Sequence, residues 1–455
     1  MNPIKDLSVT DDLFVIEVDD DDYLIYAPLR RVLFEVNEVA LSQIQRIVAV
    51  GEDSNDLSYM RSFLTKKNLL NPPTFWPTVD VERPFRPQTI ILSLTSDCNL
   101  RCIYCYAFGG ERPRTMTMEV ARAAVDVVSH QAADYGMNQF RITFHGGGEP
   151  MVAWPLLKWT AEYAHEAAQQ NGVQLKINLV TNGTLINKTR AKWLAQNISV
   201  VTLSIDGPQE IQNIQRPKLG GQGSFAAVMR GAQLMRDYGV HFSIRSTITN
   251  LNVYQMTEMV DFFASEVAGD SIKQLHFEPV EEIGRAKDKT IGKLDPAVFI
   301  AEYKKAFLRA KELGFSLHYS GLKLNHLQAV FCGADGEIFC VLPDATISAC
   351  TRVTRSTDPG AETFIYGTYT PKLNNFQIEE GKLARLRQIG VWGVERCQRC
   401  FCKWHCAGHC PNSRLTNCNW AREGFTCQIV RELTKWQLLE ELKGYAEKPV
   451  VGESC

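Results

Sequence analysis

The chain has 455 residues, 45% of them hydrophobic and 22% charged, with a formal net charge of -2. That length exceeds one ordinary core and predicts two or three domains. The near-neutral balance, with no basic stripe, argues against nucleic acid as a partner. No apolar run is long enough to span a bilayer, and the opening MNPIKDLSVTDDLF lacks the basic-then-apolar order of a secretory signal, so no membrane partner and a cytoplasmic location are expected. Fourteen cysteines in such a chain point to metal rather than to disulfides.

Residues 13 to 28 read as a hairpin, LFVIEV and YLIYAP around the acidic turn Asp19 to Asp22. Helical patterns follow through Val39, Leu41, Ile44 and Val48, and through Leu57, Met60, Phe63 and Leu64. Residues 1–71 are therefore expected to form a small domain. Pro72, Pro73, Pro77, Pro84 and Pro87 mark an extended linker over 72–87, because proline disfavours both helix and central strand.

From Thr89 a strand-helix alternation begins. Strands are expected at 89–95, 140–146, 175–181, 200–206, 242–248 and 274–280. Amphipathic helices are expected at 118–133, 155–169, 225–238, 253–266 and 296–313. Apolar strands alternating with helices predict a parallel sheet covered by helices, here an α/β partial (β/α)6 TIM-like barrel over 88–320. Reactive groups in such barrels sit on loops at the C-terminal ends of strands.

The unusual residues lie at those ends. The first strand runs into Cys98, Cys102 and Cys105 in a CxxxCxxC spacing, with Tyr104 before the last cysteine. Three thiolates so close can hold three corners of a cubane cluster and leave one iron open, or form part of a zinc site. The second strand ends in His145-Gly146-Gly147-Gly148-Glu149-Pro150, where glycines allow close backbone approach and Glu149 offers a carboxylate. Asn182, Ser204, Asp206 and Arg216 follow the third and fourth strands, and Arg245, His276 and Glu278 the fifth and sixth. These groups suit a polar ligand, and they also suit turns, caps and satisfied core positions.

The cysteine loop resembles the signature of the radical S-adenosylmethionine (SAM) enzymes. The resemblance implies a 4Fe-4S cluster on Cys98, Cys102 and Cys105 that binds and reductively cleaves SAM. It implies further that Gly147, Gly148 and Glu149 match the motif holding SAM's amino group, with Tyr104, Asn182, Ser204, Asp206, Arg216 and Arg245 as further cofactor-binding candidates.

Eight cysteines lie beyond Lys382, most of them in CQRCFCKWHCAGHC. Together with Cys332, Cys340 and Cys350, their order resembles the SPASM extension of radical SAM enzymes, over 321–430, with 431–455 as a terminal helix and tail. That extension carries two auxiliary 4Fe-4S clusters, making three clusters in all. The resemblance implies Cys332, Cys340, Cys350 and Cys410 for one auxiliary cluster and Cys397, Cys400, Cys406 and Cys427 for the other. Cys402, Cys418 and Cys455 are left as free thiols. Zinc remains the competing occupant, since the CxxC pairs lie beside His405 and His409. The family places glycine where this chain has Ala345, five residues before Cys350, so a costlier left-handed turn is expected there.

The small N-terminal unit resembles the winged-helix-like domains that bind leader peptides in peptide maturases, by strand addition to a sheet edge. These likenesses imply an oxidoreductase that installs intramolecular crosslinks, thioether or C-C or C-O, in a ribosomally synthesised precursor peptide. Its partners would be that precursor with its leader and an electron donor such as flavodoxin or ferredoxin. A sulfatase-maturating type is the alternative, but that group carries an Asp after the third extension cysteine and this chain has Thr351. A non-catalytic zinc or iron-sulfur scaffold is the reading of another class.

Overall fold

The computed structural model describes residues 7–10, 12–19, 21–269, 272–287, 291–416 and 424–446. Cys418 and Cys455 lie outside the described residues.

The N-terminal hairpin is part of a four-stranded antiparallel sheet: β1 (Leu7–Thr10), β2 (Leu13–Glu17), β3 (Asp22–Ala27) and β4 (Val32–Asn37), in that order. Strand side chains alternate between faces, so β2 and β3 present two apolar rows. Leu13, Val15, Ile25 and Ala27 pack on the helices Glu38–Gln45 and Ser58–Lys66 through Leu41, Ile44 and Leu64. Asn37 caps the first of these helices, its side chain accepting from the Ala40 amide. The opposite row, Phe14, Ile16, Leu24 and Tyr26, is buried in the main core of the molecule. The sheet is thus a wedge covered on both faces, while β4 is its edge.

The proline stretch 72–87 is not a free tether. Trp76 packs against Trp392 and Trp404, the Trp392 indole donates to the Pro77 carbonyl, and Arg83 pairs with Asp335 at 2.7 Å.

The central body is a parallel run of β5 (Thr89–Leu92), β6 (Gln139–Phe144), β7 (Gln174–Thr181), β8 (Val200–Ser204), β9 (Phe242–Ile248), β10 (Gln274–Pro279) and β11 (Ser316–His318), each beside the next. The six expected strands are present, most of them ending one to three residues early because the chain turns into the loops that carry the site. β11 is a seventh, short strand that sequence periodicity does not mark. Helices such as Met118–Asp134, Trp154–Gln170 and Phe225–Asp237 cover the sheet with alanine-rich faces.

The cysteine-rich region continues the same sheet. β12 (Ile338–Val341) pairs in parallel with β5, placing Cys340 opposite Ile91. β13 (Thr346–Ser348), β14 (Ile365–Thr370) and β15 (Asn375–Ile378) then extend the sheet antiparallel, to eleven strands. Ala345 takes φ 69° between β12 and β13, so the left-handed turn is kept without glycine. The terminal helix begins earlier than expected, at Phe425, and runs to Ala446 against the helix Pro296–Glu312, with Trp436 edge-on to Phe307. Among the described residues no helix is long and apolar enough to cross a membrane.

Candidate functional site

β5 delivers the cysteine loop into a cavity of about 540 Å³ between the barrel's strand ends and the cysteine-rich region. Cys98, Cys102 and Cys105 all line it. Backbone amides point at two of the sulfurs, Leu100 N at Cys98 and Gly109 N at Cys105, each 3.5 Å away. Burial pushes the Cys98 thiol up to about 12, with Glu149, Cys102 and Cys105 adding to the rise. Burial likewise pushes Cys102 up to about 11. Three cysteine sulfurs on one cavity wall, two of them faced by backbone amides, are the soft donors that would hold an iron-sulfur cluster. The donor set therefore fits one.

The loop after β6 closes over this one. Gly146 adopts φ 151°, and a Cβ there would lie 2.3 Å from Ser93 Oγ. At Gly148 a Cβ would fall 2.1 Å from the Asp97 carbonyl, so only glycine lets the two loops touch. Glu149, buried, accepts from Thr181 Oγ1 (2.6 Å), the Asn182 amide (2.8 Å) and the Met151 amide (3.1 Å). Burial raises its pKa and these bonds oppose the rise. Its carboxylate thus ties the β6 loop to the end of β7.

Tyr104 reaches across to the end of β8. Its hydroxyl donates to Asp206 Oδ2 (2.5 Å) and accepts from Arg216 Nη1 (2.6 Å). Asp206 also accepts from the Thr247 amide and from Gln215 Nε2. Tyr104, Asn182, Ser204, Arg216 and Arg245 line the cavity with Gly147, Gly148 and Glu149, but Asp206 does not. Asp206 is fully buried and holds Tyr104 and Arg216.

Arg245 is half exposed, 3.8 Å from Glu278. Glu278 is itself fixed by the Ser320 amide and hydroxyl. His276 lies behind the wall, stacked on His318 at 5.1 Å, and burial holds it down at about 4.

Beyond the barrel the structure brings two groups of thiols together. Cys332 and Cys350 are neighbours of each other and of Cys410, and Cys340 is a neighbour of Cys350. Burial first, then these neighbours, pushes Cys332 to about 11 and Cys350 to about 12. In the second group, Cys397 adjoins Cys400 and Cys427, and Cys406 adjoins all three. The buried Cys402 sits beside Cys400, its Sγ 3.9 Å from the Val430 carbonyl. Ala407, Gly408 and His409 are consecutive left-handed residues joining Cys406 to Cys410, a strained link of the kind kept at functional sites. No set of three or more His, Cys, Asp or Glu among the described residues converges on a single-ion site.

Sequence reading missed three features of the cavity wall. Arg285 braces the cysteine loop by donating to the Cys102 and Gly109 carbonyls. Arg352, two residues past Cys350, forms a bidentate pair with Glu281 after β10, and Ser413, three past Cys410, bonds to both. Tyr106, half-buried next to Cys105, buries its hydroxyl. None has a spacing signal, because their partners are distant in sequence. Thr351 lines the cavity.

Residues 92–263 match the family profile of the radical SAM superfamily. The chain is 27% identical over 379 residues to the cysteine-type anaerobic sulfatase-maturating enzyme of Clostridium perfringens, covering 76% of this chain and 95% of that protein. It is 32% identical over 173 residues to an uncharacterized protein of Methanocaldococcus jannaschii, covering 38% of this chain but only 57% of that relative. The solved structure of native anSMEcpe with bound AdoMet and Cp18Cys peptide superposes with a TM-score of 0.63 at 24% identity, over 78% of this chain and 99% of that one, which shows a shared fold. With the cysteine loop on β5 and the glycine turn after β6, this match makes residues 92–263 a radical SAM domain.

Proposed function

We propose that the chain is a radical SAM maturase that oxidises side chains of a peptide substrate and installs intramolecular crosslinks in a ribosomally made precursor. One observation carries the reading: a single cavity is lined by the Cys98 loop on one side and by Thr351, Arg352 and Cys410 on the other. Substrate held there would face both metal-binding regions. A SAM-binding cluster on Cys98, Cys102 and Cys105 would supply reductive SAM cleavage and hydrogen abstraction, with flavodoxin or ferredoxin as external donor. Clusters on Cys332, Cys340, Cys350 and Cys410, and on Cys397, Cys400, Cys406 and Cys427, would take up electrons.

The protein's own part is to orient and to exclude water. Arg216 and Tyr104 brace one another below Ser204, the glycine turn brings backbone to the cysteine loop, and Arg245 offers an exposed guanidinium to a carboxylate. The β4 edge of the N-terminal sheet, which among the described residues pairs with β3 alone, is where a leader strand would add.

The Clostridium perfringens relative favours a second reading, oxidation of a single Ser or Cys to an aldehyde. Thr351, where an acid stands in that group, weighs against it. Intact-mass analysis of a candidate precursor, incubated anaerobically with enzyme and SAM, tests both. Loss of two hydrogens per bond with no reaction toward a hydrazide supports crosslinking. A hydrazide-reactive product supports the second reading and overturns the first.

A further inference from the structure

Three consecutive side chains of the cysteine-rich region, Lys403, Trp404 and His405, are buried, and each meets a different part of the N-terminal chain. Lys403 Nζ lies 5.6 Å from the centre of the Phe14 ring on β2. Trp404 packs at 6.0 Å on Trp76 of the proline stretch, in an apolar cluster that also takes in Leu29 and Cys397. His405 stacks on Tyr26 of β3. Its Nδ1 donates to the Lys323 carbonyl at 3.3 Å, so its Nε2 accepts from the Tyr26 hydroxyl. A second segment completes this seat: Lys435, on the helix Phe425–Ala446, donates to the Val18 carbonyl at 3.3 Å, just past β2.

The two segments of the seat are the two that carry the second thiol group. Lys403–Cys406 is a single helical turn that starts three residues past Cys400 and ends on Cys406, and Cys427 is the third residue of the helix that carries Lys435. One isolated turn does not hold itself in water, so its place depends on what anchors its ends. Printed contacts bring the two segments together at the thiols. The Cys400 amide donates to the Cys397 carbonyl at 3.1 Å, and Arg396 Nη2, next to that turn, lies 3.0 Å from Cys427 Sγ. The Cys406 amide donates to the Cys402 carbonyl at 2.9 Å, and Cys402 Sγ lies 3.9 Å from the carbonyl of Val430, one turn past Cys427. Four soft donors, one of them faced by a guanidinium, suit an iron-sulfur cluster.

We propose that metal held by Cys397, Cys400, Cys406 and Cys427 joins the two halves of this seat, so that the N-terminal sheet stands in place only in the loaded enzyme. The inference rests on the reading that this group holds an iron-sulfur cluster. It goes beyond that reading in making the centre a switch on the domain proposed to take the leader peptide. Metal binding to ligands far apart in the chain is folding free energy for the segments it joins. Linkage is reciprocal, so docking of the sheet in turn favours retention of the metal. A chain lacking this centre offers no ordered β4 edge, and a precursor is not engaged by an enzyme unable to process it.

The test uses the full, reconstituted chain under anaerobic conditions. Iron content comes first: Cys400→Ala must hold less iron than the native chain, and unchanged iron overturns the cluster reading itself. Hydrogen exchange over residues 13–27, followed by mass spectrometry, then reads the docking of β2 and β3. Exchange there should be at least ~10-fold faster in Cys400→Ala, as local opening requires, and native-like in Cys98→Ala, which loses a different centre. Lost iron with unchanged exchange, or equally fast exchange in Cys98→Ala, overturns the switch and leaves the cluster reading standing. Tyr26→Phe decides the matter where Cys400→Ala is insoluble. It removes one hydrogen bond, to His405, and should keep full iron but release it to a chelator roughly 2–10-fold faster, the worth of one such bond. An unchanged release rate overturns the coupling.

Discussion

Gly147 and Gly148 look equivalent in sequence, yet the structure separates them sharply. A Cβ on Gly148 would lie 2.1 Å from the Asp97 carbonyl and 2.7 Å from the Ser96 carbonyl carbon and the Thr95 carbonyl oxygen, all backbone atoms. The loop would have to retreat by roughly 1 Å to restore contact distance, and the bond from the Glu149 amide to the same Asp97 carbonyl, 2.8 Å, would open. Overpacking costs about 1–3 kcal/mol and the lost bond about 0.5–1.5 kcal/mol. A Cβ on Gly147 meets Thr354 Cγ2 at 3.5 Å, an ordinary contact. If about 2–3 kcal/mol of the Gly148 cost falls on the SAM-competent geometry, Gly148→Ala weakens SAM binding by ~30–150-fold, whereas Gly147→Ala changes it by less than ~3-fold. Equilibrium dialysis with reconstituted enzyme measures this, with iron content as the control for an intact loop. Equal losses in the two variants would refute the reasoning, because the clash would then not be the cause.

Cys98→Ala is expected to abolish 5'-deoxyadenosine formation while the two other thiol groups keep their iron; retained cleavage would remove the cysteine loop from the chemistry. The Asp12–Arg30 pair, 3.2 Å apart with side chains 1% and 7% exposed, is one in which burial outweighs attraction: Asp12 is raised to about 6 and Arg30 is lowered. A raised carboxyl binds its proton more tightly in the folded state, so stability is greatest below about pH 4 and falls as pH rises toward 6. Denaturant unfolding across that window should lose this slope in Asp12→Asn, and replacing both residues by apolar ones should stabilise by ~1–4 kcal/mol where Arg30→Met alone destabilises. Glu281→Gln breaks the bidentate pair with Arg352, whose side chains are 26% and 27% exposed, and should cost about 1–3 kcal/mol in unfolding free energy, discounted for that exposure. An unchanged unfolding midpoint would show the pair to be ornamental. Removing residues 1–71 should yield insoluble protein, because Phe14, Ile16, Leu24 and Tyr26 are buried in the main core; a soluble, active remainder would contradict that packing.

The parallel core was legible because its strands are nearly continuous apolar runs and its helices long and amphipathic. The cysteine loop was legible because ligand spacing within one loop is a local property. What escaped depends on partners far away in the chain. β11 is only three residues long, and β4 opens on the continuous apolar run Val32-Leu33-Phe34, which leaves alternation to its last residues alone. The helices Lys188–Asn197 and Gln209–Gln215 are short and strongly polar, so their periodicity is weak. Asp206 reads as a ligand at a strand end, and only its four hydrogen-bonding and ionic partners reveal it as a brace. The Glu281–Arg352–Ser413 cluster spans 132 residues between its outer members, and no motif announces it.

The pairing of β12 with β5 has a consequence for how such a molecule can change. Cys340 lies opposite Ile91 on the strand that leads directly to Cys98. Neighbouring strands stand about 4.8 Å apart, and a slip of one residue would turn Cys340 to the opposite face of the sheet. The interval between the two regions is therefore set by a backbone ladder, as on a ruler, and not by side chains that meet the ligand. Loops around the cavity can lengthen, shorten or change their chemistry to admit new partners while that interval stays constant. The spacing of the two cysteine regions and the lining of the cavity are thus carried by different parts of the chain.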